Sequence, residues 1–312
     1  MDLSVVIVSF NTKDKLRKCL RSIFDSRAKY AYQVWVVDNA SRDGSADMVA
    51  SEFPDAKLIR NDHNQGFARA NNTALRLILK PSDSSTSPLT PPLARGGGNA
   101  SRYILLLNSD IVVMPDTLEK MIGYMDENPD VGISGCRVEK PDGSLDLASR
   151  RSFPSPTNAF FRLTGLSLLF PKSRVASYNL TYLPENETTE VDSVMGAFLL
   201  IRRDLIDKIG LLDENFFMYG EDLDWCYRAR AVGAKVMFVP ITKVTHDKGS
   251  SSRKVPSQMI YEFHRSMMIF YDKYYRRRYN FLINFLVTIG IWMRYLVKLT
   301  ENALRREKYV SK

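Results

Sequence analysis

The chain has 312 residues, 45% apolar and 25% charged, enough for one large domain or one domain with an appendage. The net charge of +9 is confined to one end: Met1 to Asp247 carries 30 Lys/Arg against 31 Asp/Glu, whereas Lys248 to Lys312 carries 14 against 4. A neutral body with a basic tail disfavours nucleic acid as a partner of the whole chain. Cys19, Cys136 and Cys226 are isolated, with no CxxC or Cys/His spacing. Neither a zinc site nor a disulfide framework is expected, and a reducing compartment is the simplest setting. Leu3 opens an apolar strand pattern with no basic stretch before it, so no signal peptide is expected.

Leu3 to Ser9 reads as a buried strand, and Leu16, Cys19, Leu20, Ile23 and Phe24 then recur at helical spacing on one face. Gln33 to Asp38 is a second strand, followed by a helix over Gly44 to Phe53 with Ser41 or Asp43 as its cap. Lys57 to Arg60 is a short third strand, Phe67 to Leu79 a third helix, and Tyr103 to Asn108 a fourth strand. Pro115 opens another helix at a favourable first position. This alternation specifies an α/β fold with a mostly parallel central sheet flanked by helices. Lys80 to Ser101, dense in Pro, Ser and Gly, is expected to be a mobile surface insertion. After Asp142 the alternation loosens; Glu221 to Val232 is helical, and Lys235 to Val239 and Lys243 to His246 are short strands.

Two carboxylates stand where ligands bind in open α/β sheets, outside the carboxyl ends of strands. Asp38 ends the second strand, and Asn108-Ser109-Asp110 ends the fourth. Oxygen donors of this kind suit Mg²⁺ or Mn²⁺ bridging substrate phosphates, although an Asp there can equally start a turn. No GxGxxG or Walker sequence occurs, so dinucleotide cofactors and P-loop chemistry are disfavoured.

The segments VVIVSFN (Val5 to Asn11), VVDNASRDGS (Val36 to Ser45), NQGFARANN (Asn64 to Asn72) and LLLNSD (Leu105 to Asp110) resemble the ordered stations of glycosyltransferase family 2, with a GT-A fold. FFMYGEDLDWCYRARAVGAKVMFVP (Phe216 to Pro240) is similar to the rhamnosyltransferase-like branch. The resemblance spans Leu3 to Asp247 and departs in two places: the insertion, and Ser109 in a metal motif often written with two acids. It implies a nucleotide-sugar donor (a dTDP- or UDP-sugar) and a glycan or lipid-linked acceptor. Asp38 and Asn39 would serve the nucleoside, Ser9, Asn11, Asn108 and Ser109 would line the nucleotide pocket, and Arg69 with Asn72 would sit near the donor. Asp110 would ligate the divalent cation, Mg²⁺ or Mn²⁺, with His246 as a second ligand.

Glu221-Asp222 would supply the catalytic acids. Inverting transfer needs a base for the acceptor hydroxyl proton, and the family pattern gives that role to Asp222, leaving Glu221 to position the acceptor. Acids in a first helical turn can also simply complement the helix dipole, and Asp224 with Arg228 reads as a structural i,i+4 pair. A nucleotidyltransferase would carry a Gly-rich basic signature near the first strand, which SFNTKDKL does not match. Intact Asp110, Asp222 and His246 argue against a non-catalytic binder that has kept the fold.

Residues 1–247 are therefore expected to form the transferase domain and 248–312 a basic helical tail. In that tail Lys273 to Tyr279 (KYYRRRY) precedes Phe281 to Met293, an apolar run of 13 that is short for a span. Cations beside aromatic residues fit a helix lying on an anionic membrane surface, peripheral on the cytoplasmic side; a terminal helix packed on the domain is the plainer alternative. Reading on through Arg294 to Leu299 lengthens the run toward a re-entrant or true span but places a cation inside it.

Overall fold

The computed structural model describes residues 1–27, 29–80, 101–163, 178–247 and 256–304. Most of the insertion, residues 164–177 and both ends of the tail lie outside them.

β1 (Leu3–Ser9) is rich in Val and Ile and buried along nearly its whole length, as a strand covered on both faces must be. α1 (Lys13–Phe24) lays Leu16, Cys19, Leu20 and Ile23 onto the sheet, the face its spacing predicts. β2 (Tyr32–Asp38) runs parallel to β1 with Asp38 opposite Ser9, so the two carboxyl ends finish level. α2 (Ser45–Glu52) starts after a left-handed Gly44. Asp43 caps the turn, accepting from Ser45 N at 3.0 Å and Lys13 N at 2.9 Å. β3 (Lys57–Arg60), α3 (Phe67–Leu79) and β4 (Tyr103–Asn108) complete a parallel half-sheet in the order β3-β2-β1-β4.

Beyond β4 the chain changes direction. β5 (Ile111–Val113) and α4 (Thr117–Glu127) lead to β6 (Val131–Glu139). Pro115 lies two residues ahead of α4 instead of opening it, because Thr117 N bonds Met114 O at 3.0 Å and closes a turn around the proline. β7 (Arg150–Arg151), α5 (Pro156–Leu163), β8 (Thr189–Glu190) and β9 (Ser193–Val194) make an excursion in which β7 and β9 pair as a separate small sheet. β10 (Phe198–Arg202) then enters antiparallel between β4 and β6. α6 (Arg203–Ile209) and α7 (Glu221–Ala231) follow.

β11 (Lys235–His246) lies parallel to β6 and antiparallel to β5 and β8. The two short strands expected here are one strand, whose register against β6 slips between Phe238 and Lys243, where Pro240 offers no N–H. In the nine-stranded sheet, β1, β2, β3, β4, β6 and β11 run one way and β5, β8 and β10 run against them. The mostly parallel sheet flanked by helices is therefore present.

α8 (Pro256–Tyr274) packs on this body. Fully buried Asp224 on α7 accepts from Lys273 Nζ and the Tyr274 hydroxyl, both at 2.6 Å, and from Arg228 at 2.7 Å. Phe270 packs with Phe216 and Leu223. α9 (Phe281–Leu304) runs back along α8: Tyr261 contacts Trp292 and Tyr295, and the Tyr271 hydroxyl donates to Asn284 at 2.5 Å. Its 24 residues are long and apolar enough to cross a membrane, longer than the sequence run because the helix continues through Arg294 and Lys298.

Candidate active site

The carboxyl end of β1 is joined to the β4 end by a chain of hydroxyls. Ser9 Oγ lies 3.0 Å from Thr12 Oγ1, which lies 3.0 Å from Ser109 Oγ. Asn11 ties this end to the β2 loop, its N–H donating to Ser41 Oγ at 2.9 Å and its Oδ1 accepting from Arg42 N at 2.7 Å. Asp38 is buried; its Oδ2 accepts from Ser41 N at 3.0 Å, while Oδ1 is buried without a hydrogen-bond partner. An orphaned buried carboxylate oxygen costs about 1–3 kcal/mol or more, and a ligand hydroxyl or N–H would recover it.

Two motif amides face the protein instead. Asn39 donates to Asn64 Oδ1 at 2.7 Å and Gly66 O at 3.2 Å, and accepts from Asn61 and Gln65 N at 3.0 Å each. All its polar capacity holds the 61–66 loop. Asn72 is likewise buried, exchanging hydrogen bonds with Leu212 at 2.8 and 3.1 Å and donating to Glu214 at 3.0 Å. Arg69 pairs with the same Glu214 at 3.2 Å, half exposed. These residues brace the start of α3 against the 212–214 turn.

Asp110 Oδ1 lies 3.1 Å from His246 Nε2, because β5 and β11 pair His246 with Ile111. Asp247 N donates to Asp110 O at 3.0 Å, closing the same corner. His246 Nδ1 is buried without a hydrogen-bond partner, 3.9 Å from Asp146 Oδ2. Asn108 N bonds Ala197 O at 3.0 Å, which joins the β4 end to the start of β10.

One residue before Ala197, Gly196 N donates to Asp222 Oδ2 at 2.8 Å, so the third carboxylate station adjoins the second. Glu221 and Asp222 open α7, behind a left-handed Gly220 and a strained, left-handed Tyr219 (φ 71). Asn11 (φ 55) and Ala40 (φ 65) are also left-handed, so non-glycine strain gathers at the loops of this end. Glu221 is buried with Oε2 unpartnered; burial first, then the Asp222 charge, pushes its carboxyl up to about 8. Gly66 (φ 81) admits no side chain, since a Cβ would stand 2.4 Å from Phe217 O. This contact locks the 61–66 loop under the segment that leads to the acids.

The family described as Glycosyltransferase like family 2 matches residues 2–263. The chain belongs to this family. It is 25% identical over 269 residues to an N-acetylglucosaminyl-diphospho-decaprenol L-rhamnosyltransferase of Mycobacterium tuberculosis, covering 86% of this chain and 83% of that one. It is 25% identical over 249 residues to rhamnosyltransferase WbbL of Escherichia coli K12, covering 78% and 82% of the two chains. The fold is also that of mannosyltransferase PcManGT from Pyrobaculum calidifontis, solved with GDP-Man and Mn²⁺ (TM-score 0.53, 18% identity), with 85% of this chain spanning 63% of that one. S. aureus TarS in complex with UDP-GlcNAc matches with a TM-score of 0.53 at 17% identity, over 86% and 65% of the chains. The chain is thus a family 2 glycosyltransferase.

Two solved neighbours, GalNAc-T7 and PcManGT, carry Mn²⁺, and the family 2 site here fits a divalent cation in part. Bonds of about 2.1 Å put two adjacent ligands of an octahedral cation about 3 Å apart, the separation of Asp110 Oδ1 and His246 Nε2. Among the described residues no group of three His, Cys, Asp or Glu gathers there. Such an ion would draw its remaining ligands from donor phosphates and water, the usual habit of Mg²⁺. Arg151 and Gly196, which seat Asp222, escaped the sequence reading: they lie 71 and 26 residues away from it, and nothing in the Arg150-Arg151 pair signals burial.

Proposed function

We propose that this glycosyltransferase is an inverting, divalent-cation-dependent enzyme that moves rhamnose from dTDP-rhamnose to a hydroxyl of a lipid-linked or polysaccharide acceptor. One observation carries the reading. Asp38, the Asp110–His246 pair and Glu221–Asp222 form a continuous end of the sheet, joined by the Ser9–Thr12–Ser109 hydroxyls, the Asn108–Ala197 bond and the Gly196–Asp222 bond. The rhamnosyltransferase names of the relatives support the choice of sugar.

In this reading Asp38 Oδ1 accepts from the nucleoside, and Asp110 with His246 would hold a divalent cation. A cation bound there would offset the negative charge growing on the leaving group. Asp222 accepts the proton of the acceptor hydroxyl as its oxygen bonds the anomeric carbon. The bond from that carbon to the diphosphate oxygen breaks on the opposite face, its electron pair leaving with the nucleoside diphosphate, so the anomeric centre inverts. Glu221, protonated near neutral pH, donates to an acceptor oxygen and orients it.

The same proposal places the chain peripherally on the cytoplasmic face of a membrane, through α9. Its outer face exposes Phe281, Leu282, Phe285, Leu286, Met293 and Leu296, beside the Arg276–Arg278 turn. Lying flat is favoured over spanning by α8. That helix lies along α9 and is tied to the body by Lys273, Tyr274 and Arg265. A spanning α9 would drag Glu262, Arg265 and Asp272 of α8 toward the hydrocarbon, at a cost of about 2.5 kcal/mol or more per charge.

The test is a donor panel with Mn²⁺ and membrane lipid extract, scoring nucleoside diphosphate release, with vesicle flotation in parallel. Release of dTDP from dTDP-rhamnose is expected, falling about 10²- to 10⁴-fold in Asp222→Asn. No release from any donor, or an Asp222→Asn enzyme that turns over like the parent, overturns the enzymatic reading; release of UDP alone reassigns the donor. The parent should float with phosphatidylserine vesicles, and the Phe281→Ser/Phe285→Ser protein should not. Equal flotation of both removes α9 from the membrane contact.

A further inference from the structure

Asp222 is seated on three sides. Arg151 Nη2 donates to its Oδ2 at 2.7 Å, Gly196 N donates to the same oxygen at 2.8 Å, and Leu223 N donates to Oδ1 at 2.8 Å. The seat has no slack, because a Cβ on Gly196 would stand 3.3 Å from Asp222 Cβ and 3.4 Å from Oδ2. Arg151 is itself fixed by the small sheet, where it registers with Ser193 and Nη2 also donates to Val194 O at 2.8 Å and Ser193 Oγ at 3.2 Å. Both partners of the ion pair are only 10% exposed at their side chains.

A purely structural ion pair at this depth is a poor device. Removing two charges from water costs several kcal/mol each, and apolar side chains of similar volume often do as well or better. The arrangement has a clearer use beside a second acid. Oδ2 of Asp222 is saturated by a cation and an amide, so its proton-accepting capacity lies on Oδ1, which carries a single backbone donor. Among the described residues no cation bonds Glu221, which keeps an orphaned, buried Oε2. The charged groups acting on Glu221 are Asp222 and Asp224, which oppose its ionisation, and Arg151, which favours it; the buried Tyr219 hydroxyl in turn feels the Glu221 charge. One acid is buried without a cation and the other is bonded to a guanidinium, and that difference in surroundings suits a division of labour between them.

We propose that Arg151 is a positioning residue for the transfer step: its buried guanidinium, fixed by the β7–β9 pairing, holds Asp222 in place as the proton-accepting member of the acid pair beside Glu221. The inference rests on the transferase reading above and concerns how its base is set. The small sheet of β7 and β9 is then a bracket for the base, and Gly196 is its backstop.

The experiment compares Arg151→Met, Arg151→Lys, Asp222→Asn and the Arg151→Met/Asp222→Asn double variant in the full chain. For Arg151→Met, kcat should fall about 100-fold, the scale of a misplaced reacting group, with donor KM moving less than threefold. The acidic limb of its kcat/KM profile should move up by about one pH unit, because the pair has lost its cation. Arg151→Lys should bring that limb back toward the parent position. In the Asp222→Asn background, Arg151→Met should cost no further activity. An unmoved acidic limb in Arg151→Met, or full additivity in the double variant, overturns the proposal.

Melting temperature against pH reads the same pair without turnover. Arg151→Met should lose stability more steeply than the parent between about pH 5 and 9, and Asp222→Asn should cancel the difference. Parallel melting profiles also overturn the proposal. A parent chain that transfers no sugar overturns the transferase reading and leaves the melting comparison decisive for Arg151.

Discussion

The first end of the candidate site, at β1, β2 and β4, and the acid end, at β10 and α7, both present carboxylates but hold them in different ways. Asp38 is steadied by Ser41, three residues on, and Asn11 grips the neighbouring loop. Asp222 is steadied by Arg151 and Gly196, and Asp224 in the same first turn of its helix is pinned by Lys273 and Tyr274 from α8. The first end is thus built by turns that follow directly from strand ends. The acid end is assembled from distant segments, including the helix that carries the apolar tail. A local turn positions a carboxylate at little entropic cost, whereas a tertiary seat ties it to the folding of the rest of the chain.

The seam between the two ends is the place where that contrast can break. Gly66→Ala should be the most damaging small change, by about 2–5 kcal/mol. It adds left-handed strain of about 1–2 kcal/mol and an overpacking cost of about 1–3 kcal/mol against Phe217 O and its ring. Chemical denaturation of the variant at parent-like midpoint would mean that the two loops are not locked there. Asp224→Ala comes next. Removing one partner of a buried ion pair costs about 3–5 kcal/mol, but Lys273 is one-third exposed and keeps Asp213 at 2.6 Å. About 2–3 kcal/mol is therefore expected, with the loss shared between α7 and α8 in hydrogen exchange. Exchange that rises in α8 alone would show that α7 does not depend on it.

The same contrast explains what was legible beforehand. Strand ends in a parallel sheet face the ligand side by construction, so Asp38 and Asp110 could be placed from strand periodicity. His246 joined Asp110 because β11 reaches that corner as one strand, although Pro240 made it read as two. The amides were harder: Asn39 and Asn72 lie within the motifs, yet a motif does not reveal whether a side chain faces a ligand or the loop beneath it. Arg151 carried no sequence mark, because its partner is set by the pairing of β7 with β9. The length of α9 was underestimated because Arg294 and Lys298 interrupt the apolar run without interrupting the helix.

Glu221→Gln should give the smallest change and the most informative sign. The folded carboxyl titrates near 8, pushed up by burial and by Asp222, against 4.5 for an ordinary Glu. Between those values the folded chain binds a proton that the unfolded chain releases, so stability falls as pH rises from about 4.5 to 8. Gln cannot titrate, and the variant should lose that slope. Its gain at neutral pH is offset by a new buried amide with an unmet hydrogen bond, a cost of about 1–3 kcal/mol. The net difference at pH 7 should then be about 1 kcal/mol, too small to interpret alone. The slope is what decides. The variant should melt below the parent under about pH 5, by that amide cost, then cross it and lie above it toward pH 8, with the parent falling faster. Profiles that stay parallel across that window would place the Glu221 proton elsewhere, and with it the division of labour at the acid end.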